Sequence, residues 1–253
     1  FIQLKGKPEI LFVGFRNPWK FNFDSETGDI YIPDVGSEYI EELNIVKYEN
    51  FNNYLNFGWN CFEGSYRIYN KHYEDVGHNK KMCLKNIKDP SIKMIEPKLQ
   101  YFHDSILSTT DIYGNSITGG TVYKNKKSIW HNHYFFADLI SNNVWYLDTN
   151  KKDNYIGINL LFGNDLSLTS INQVDDKLLA TSYMGKIYEI ILPSKKNLEK
   201  SIYNRPVIYN NLRVVDVMNK SDEIIFTATS IFYQLLIKIR RLKRMLFGNI
   251  HIF

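Results

Sequence analysis

Long hydrophobic runs are missing from this chain of 253 residues. No apolar stretch approaches the roughly 18 residues a spanning helix needs, which excludes a transmembrane helix on sequence grounds. Arginine is scarce, at 7 of 31 basic residues, and lysine supplies the other 24. The lysines are scattered, so the skew reads as a coding bias that selects no partner. Charge of one sign is lacking too. The net is +4, and Lys238, Arg240, Arg241, Lys243 and Arg244 alone contribute five positive charges. The body is therefore near neutral and offers no basic face for nucleic acid. There are two cysteines. The sequence begins at Phe1 with no initiator methionine or signal peptide visible, so the compartment cannot be read there. The chain opens inside an expected strand and reads as a piece of a longer protein. Aromatics, by contrast, are plentiful: 16 Phe, 18 Tyr and 4 Trp, 15% of the chain. That much buriable surface excludes disorder and leans toward β structure.

The sequence repeats itself. Ile30-Tyr31-Ile32 is followed by Leu43-Asn44-Ile45-Val46. Tyr134–Asp138 is followed by a Ser141-Asn142-Asn143 turn and Val144–Leu147. Lys177–Thr181 is followed by a Met184-Gly185 turn and Lys186–Ile190, and Glu223–Thr227 by Ile231–Leu235. Each unit is strand, polar turn, strand, too short and too β-branched for helices. The last three units start near residues 134, 178 and 224, a spacing that matches a propeller blade of roughly 40–50 residues. The expected fold class is all-β: a partial propeller of four-stranded antiparallel blades, with a β-sandwich as the alternative. Strands such as Val144–Leu147 are apolar on both faces, as blades packed between neighbours require. At most four blades fit, and residues 65–97 form an irregular excursion on one face.

Four segments, taken in order, resemble the glucose/sorbosone dehydrogenase family of six-bladed propellers, which includes soluble quinoprotein sugar dehydrogenases and hedgehog-interacting-protein-like proteins. They are Gly14–Trp19 with Phe23-Asp24 and Thr27–Asp29; Asp34-Val35-Gly36 with Glu41–Asn44; Asn56–Gly64; and Ser116–Tyr123 leading into Tyr134–Asp138. They span about residues 10–192, inside a propeller segment expected over 1–236, with a basic tail at 237–253. The resemblance implies a sugar dehydrogenase-like oxidoreductase using pyrroloquinoline quinone (PQQ) and calcium. The alternative is a non-catalytic scaffold binding a protein or glycan through its top-face loops.

Arg16 and Asn17 precede Pro18, which keeps the chain extended, and a guanidinium forks onto planar oxygen pairs. The resemblance makes them cofactor-binding residues; a structural Arg–Glu pair is the competing reading. His103 and the Gly119-Gly120 pair join that set. Glycines inside a strand indicate close approach of a backbone or a ligand. The carbonyls of Gly36 and Ser37 correspond to calcium ligands in the family, and oxygen donors suit that ion. Glu38, Glu41 and Glu42 read either as part of that region or as a solvated acidic turn. His131-Asn132-His133 reads as a turn. The family's catalytic histidine is expected upstream of Phe1, so no catalytic residue is assigned. The bacterial quinoproteins carry a cofactor-pairing lysine near Ile140 and arginines near Asp165–Leu168, which this chain lacks. That places it nearer the hedgehog-interacting-like and aldose-dehydrogenase branches.

Relatives with a second cysteine downstream imply a Cys61–Cys83 disulfide, two buried thiols being the alternative. The bond implies a secreted or extracytoplasmic location. The tail places Leu235, Ile239, Leu242 and Leu246 at helical spacing. It reads first as a terminus or a helix closing on the last blade, and only second as a membrane contact.

Overall fold

The computed structural model describes residues 10–68, 93–103, 112–150, 166–192 and 212–215. The chain divides into two compact units, Phe1–Arg213 and Val214–Phe253, and the first three repeats and all four motif segments belong to the first unit. The fourth repeat, Cys83, Asp165 and the basic tail lie outside the described residues.

The strands are β1 (Asn22–Phe23), β2 (Ile30–Asp34), β3 (Ile40–Val46), β4 (Leu55–Asn56), β5 (Phe62–Glu63), β6 (Tyr66–Arg67) and β7 (Lys93–Met94). Then come β8 (Leu99–Phe102), β9 (Ile117–Tyr123), β10 (His133–Asp138), β11 (Val144–Asp148), β12 (Leu168–Val174), β13 (Lys177–Ser182) and β14 (Ile187–Ile190). A last strand, β15 (Leu212–Val215), straddles the boundary between the units. Among the described residues there is no α-helix, only a 3-10 turn at Tyr48–Asn50.

Three antiparallel sheets follow one another along the chain: β1-β2-β3-β8, β9-β10-β11 and β12-β13-β14. Each contains one of the first three repeats as a hairpin. Tyr31 pairs with Ile45, Phe135 with Tyr146 and Leu179 with Glu189. The connection between β3 and β8 holds the β5–β6 hairpin and a short parallel pair of β4 with β7; most of the excursion expected over 65–97, residues 69–92, lies outside the described residues.

The sheets pack face to face in chain order, and side-chain alternation within each strand makes this possible. On β10, Tyr134 and Phe136 join Tyr31, Leu43, Tyr101, Trp145 and Leu147 between the first and second sheets. Phe135 and Ala137 face the other way, onto Leu168, Ile171, Leu178, Ala180 and Tyr188 of the third. Tyr31 stacks on Tyr134 with ring centroids 4.5 Å apart. Each aromatic buried in this way contributes about 1.5–3 kcal/mol. Phe57 and Leu55 cover the outer face of the first sheet, against Ile30 and Ile32. With both faces of the middle sheet covered, a two-layer sandwich is excluded.

Polar ties fix the stack at its edges. Lys124, at the end of β9, places its ammonium 2.9 Å from Asp24 and 3.1 Å from Glu26 in the β1–β2 turn, and 2.7 Å from the Asn132 amide oxygen. Its own backbone N–H donates to Gln173 of β12 at 2.7 Å. One residue thus ties all three sheets together.

Candidate functional site

The three hairpin turns, at 35–39, 139–143 and 183–186, lie at one end of the stack. Arg16–Trp19, Asp34–Gly36 with Glu41, Glu63-Gly64 and Ser116-Ile117 meet there, one part from each motif segment, and buried carboxylates join them. Phe23-Asp24 and Thr27–Asp29 lie at the other end of β2, beside Lys124 and Lys47. Asp34, at the end of β2, accepts from the backbone N–H groups of Arg16 (3.0 Å) and Asn17 (2.6 Å). Pro18 bridges to the same residue, so the extended backbone expected there is in place. Glu41 accepts from the Gly36 and Ile117 amides with Oε2 and lies 2.6 Å from His103 Nε2 with Oε1. Glu42 accepts from the Gly64 amide with Oε1, at 2.5 Å, and from the Asn44 amide with Oε2. Glu63 Oε1 accepts from four successive backbone donors, Ser37, Glu38, Tyr39 and Ile40, at 2.8–3.0 Å. Asp138 takes the Tyr101 hydroxyl and the Ser116, Ile140 and Ser141 amides.

Glu41 and Glu42 are buried, at 0% and 6% exposure, which corrects the reading of a solvated acidic turn; only Glu38 is exposed. Neighbouring strand residues point to opposite faces, and both faces of this strand are covered, so neither carboxylate reaches water. Each is instead satisfied by backbone N–H groups, as buried charge requires. Asp34, Glu63 and Asp138 do not stand out as site residues in the sequence. The available signal is a carboxylate at the edge of an apolar strand beside a glycine or a turn, which has to be capped when buried.

Burial pushes Asp34 up to about 6 against the amides of Arg16 and Asn17, and pushes Glu42 up to about 7 against its Gly64 and Asn44 bonds. Burial opposes the charged imidazolium of His103, but the Glu41 hydrogen bond and charge outweigh it and hold His103 above its ordinary value. All three shifts have the same sign. The folded chain binds these protons more tightly than the unfolded one, so stability is fully present on the acid side and declines as pH rises. The expected result is a melting temperature that falls between about pH 4 and pH 7, with the slope flattened in Glu42→Gln. A thermal melt series checks it.

Arg16 is exposed, with its guanidinium donating to the Val35 carbonyl at 3.1 Å and its Cζ 5.7 Å from the centroid of the Trp59 ring, inside the cation–π range. The expected alternative of a structural Arg–Glu pair is not what the described residues form. Asn17 lies beside it, exposed. Gly36 and Ser37 form the β2–β3 turn. A Cβ on Gly36 would meet the Ile40 carbonyl oxygen at 1.8 Å, so only glycine fits. His103 faces Glu41 with 15% of its side chain exposed.

Gly119 and Gly120 form a β-bulge opposite Phe136: Thr118 pairs with Ala137 and Thr121 with Phe135. Protein backbone occupies the space beside both. A Cβ would meet the Lys20 oxygen at 2.0 Å or the Phe135 oxygen at 1.6 Å. Of the two causes of a strand Gly-Gly, backbone approach accounts for this one. His131 and Asn132 form the expected turn before β10, but His133 is not part of it: it is the first residue of β10, paired with Tyr123 and Asp148. Ile140, where the bacterial enzymes carry a lysine, is 60% exposed on the β10–β11 turn. Cys61 is buried behind Gly58.

Known proteins share parts of this chain. It is 31% identical over 141 residues to the HIPL1 protein of Arabidopsis thaliana, and equally to its HIPL2 protein. Each match covers 55% of this chain and 18% of the relative, so the chain spans under a fifth of the curated proteins it matches. A solved glucose dehydrogenase superposes with a TM-score of 0.51 at 18% identity, covering 76% of this chain and 48% of that one; this likeness is one of fold. No family profile matches the chain. Motifs, relatives and fold agree on a class, the glucose/sorbosone dehydrogenase-like propellers. Within it, the chain resembles the HIPL proteins over those 141 residues. No helix among the described residues is long and apolar enough to cross a membrane.

Proposed function

We propose that this chain forms part of a six-bladed propeller of four-stranded blades, with a segment over 1–236 and a separate tail at 237–253. Its Arg16 end would bind a sugar or glycan in the manner of the sugar dehydrogenases it resembles. One observation carries the reading: parts of four motif segments remote in sequence converge on a carboxylate-capped base, with a solvent-facing guanidinium over Trp59. Arg16 and Asn17 supply donors, and Trp59 supplies an aromatic face for the C–H side of a sugar ring.

PQQ, which would accept hydride in such an enzyme, does not fit the described residues. It brings three carboxylates to a site whose exposed cation is Arg16 and whose base contains Asp34, Glu41, Glu42 and Glu63. Unpaired anions are costly to desolvate, and no step is routed through the quinone. Calcium suits the sign of the surroundings. Its ligands would be the Gly36 and Ser37 carbonyls, because no grouping of three acidic, His or Cys side chains among the described residues is arranged for a metal. The misfit with the quinone favours a second reading, a non-catalytic propeller whose top-face loops bind a protein or glycan. The test is a tryptophan-fluorescence titration of the folded chain with glucose, and separately with PQQ and calcium. A saturable glucose response lost in Arg16→Ala is expected, with no micromolar quinone binding. Quinone binding at micromolar concentration, abolished by Arg16→Ala, would overturn the fit argument and restore the oxidoreductase. No glucose response at all would sink the sugar site and leave the scaffold.

We also propose the Cys61–Cys83 disulfide and, with it, a secreted or extracytoplasmic location. Closing a loop of about 22 residues stabilises by roughly 3 kcal/mol in the chain-entropy view. Reduction is expected to lower the urea midpoint accordingly, and non-reducing peptide mapping should recover the linked pair. Two alkylatable thiols in the native chain would contradict it.

A further inference from the structure

Turn chemistry accounts for most residues at the Arg16 end of the stack and leaves a few unexplained. In the β13–β14 turn the Ser182 carbonyl accepts from the Gly185 amide at 3.0 Å and the Ser182 hydroxyl from the Met184 amide at 3.0 Å, while Gly185 supplies a φ of +76°. That closes the turn with no demand on the side chains of Tyr183 and Met184, which are 80% and 62% exposed. The β10–β11 turn is held likewise by Asp138, which accepts from the Ile140 and Ser141 amides, and by Asn142 at a φ of +60°. It makes no use of the exposed Ile140 side chain. Tyr113, before β9, is exposed as well. Turns ordinarily take small polar residues, so large apolar and aromatic side chains on neighbouring tips mark a binding surface.

Backbone contacts join these tips. Asn143 Nδ2 donates to the Tyr113 carbonyl at 3.4 Å. From the same turn, Asn142 Oδ1 accepts from the Ser167 amide at 2.6 Å, and the Ser167 carbonyl accepts from the Tyr183 amide at 2.9 Å. Ser167 has a φ of +44°, a conformation that a serine keeps only where its surroundings impose it. Toward the first sheet, the Leu139 amide donates to the Ser116 carbonyl at 2.8 Å and the Ile117 amide to Glu41 at 2.9 Å. Glu41 also holds the Gly36 amide, next to the Val35 carbonyl that anchors Arg16. Stacked sheets lie about 10 Å apart, so this surface runs roughly 20 Å from the first sheet to the third, the reach of roughly four linked pyranose rings.

Between Arg16 on one side and Lys186 on the other, residues 139–143 carry no charge. The polar groups displayed are neutral, the Asn17 amide and the hydroxyls of Tyr113 and Tyr183. A tyrosine offers an apolar ring face and a polar tip, which suits the C–H face and the hydroxyls of a sugar. We propose that the sugar site at Arg16 continues into a platform for a neutral oligosaccharide of about three or more linked sugars. Arg16 and Trp59 take the terminal sugar, and Tyr113, Ile140 and Tyr183 carry those that follow. The proposal rests on the reading of the Arg16 end as a sugar site and names the class of sugar it takes.

Calorimetry of the full chain with glucose, cellotetraose and maltotetraose tests it. At least one tetrasaccharide is expected to bind about tenfold tighter than glucose or better, because linked sugars engage successive contacts together. The gain should vanish in Tyr183→Ala and survive in Tyr183→Phe, with glucose affinity unchanged in both, whereas Arg16→Ala should weaken every sugar. Tyr183 is exposed enough that both variants should melt like the parent. Glucose binding without a gain from either tetrasaccharide, or a gain indifferent to Tyr183→Ala and Ile140→Ser, would overturn the platform and leave the Arg16 site standing. Tetrasaccharide binding indifferent to Arg16→Ala would keep the platform and remove the Arg16 site, and failure of all three sugars to bind would remove both. Tighter binding of tetragalacturonate than of either neutral chain would also overturn the proposal. So would phosphatidylcholine-vesicle binding or self-association lost in Tyr183→Ala without any tetrasaccharide gain, which would assign the surface to lipid or protein.

Discussion

Glu63→Ala is expected to destabilise the chain by about 3 kcal/mol or more. A single carboxylate oxygen holds the Ser37, Glu38, Tyr39 and Ile40 amides. Removing it orphans donors that cost about 1–3 kcal/mol each where water cannot reach them. The costs will not sum, because the turn around Ser37 and Glu38 is partly solvated and can rearrange. Glu63→Gln keeps an acceptor at Oε1 and should lose far less. The gap between the two variants measures the amide cluster itself, separately from side-chain volume. Urea unfolding of both checks this, and an alanine variant within about 1 kcal/mol of the parent would show that the turn holds itself. The same substitution should loosen the Gly36–Ser37 backbone, so any ligand response at the Arg16 end should fall with it.

The second large effect concerns β10. Phe135→Ala and Phe136→Ala should each cost about 3–5 kcal/mol, the usual range for deleting a buried phenylalanine ring. The two rings lie on opposite faces of one strand and enter different cores. In a sheet with one wet face, one of the two would be nearly free to change. Equal and large losses are the signature of a sheet covered on both sides. Paired equilibrium unfolding measurements decide it, and a cheap variant at either position would mean that one flank of the stack is open in solution.

The strands were legible because apolar runs broken by Ser-Asn-Asn and Met-Gly turns leave little choice but hairpins, and the three repeats within the described residues are hairpins. The stacking of sheets was legible in Tyr134–Ala137, where four apolar residues in a row leave no face for water. The site was legible only in part. Arg16 and Asn17 stand out through the extended backbone that Pro18 enforces, and Gly36 through the tightness of its turn. The carboxylate wiring was not, because a run such as Glu38–Glu42 looks the same in sequence whether water or backbone amides satisfy it. What separates the cases is the covering of the second face, a property of neighbours distant along the chain. Gly119-Gly120 pointed correctly to a close approach, but sequence could not distinguish a neighbouring backbone from a ligand.

Trp19 adds a constraint of another kind. Its indole Nε1–H donates to the Thr169 carbonyl at 3.0 Å, across 150 residues of chain. The segment carrying Arg16 and Asn17 is therefore latched to a strand made long after it. Contacts so remote are closed late, since the intervening chain must be ordered before they are rewarded. During synthesis the Arg16 segment can dock on Pro33 and Asp34 of the first sheet, and it gains this last tether only when the third sheet emerges.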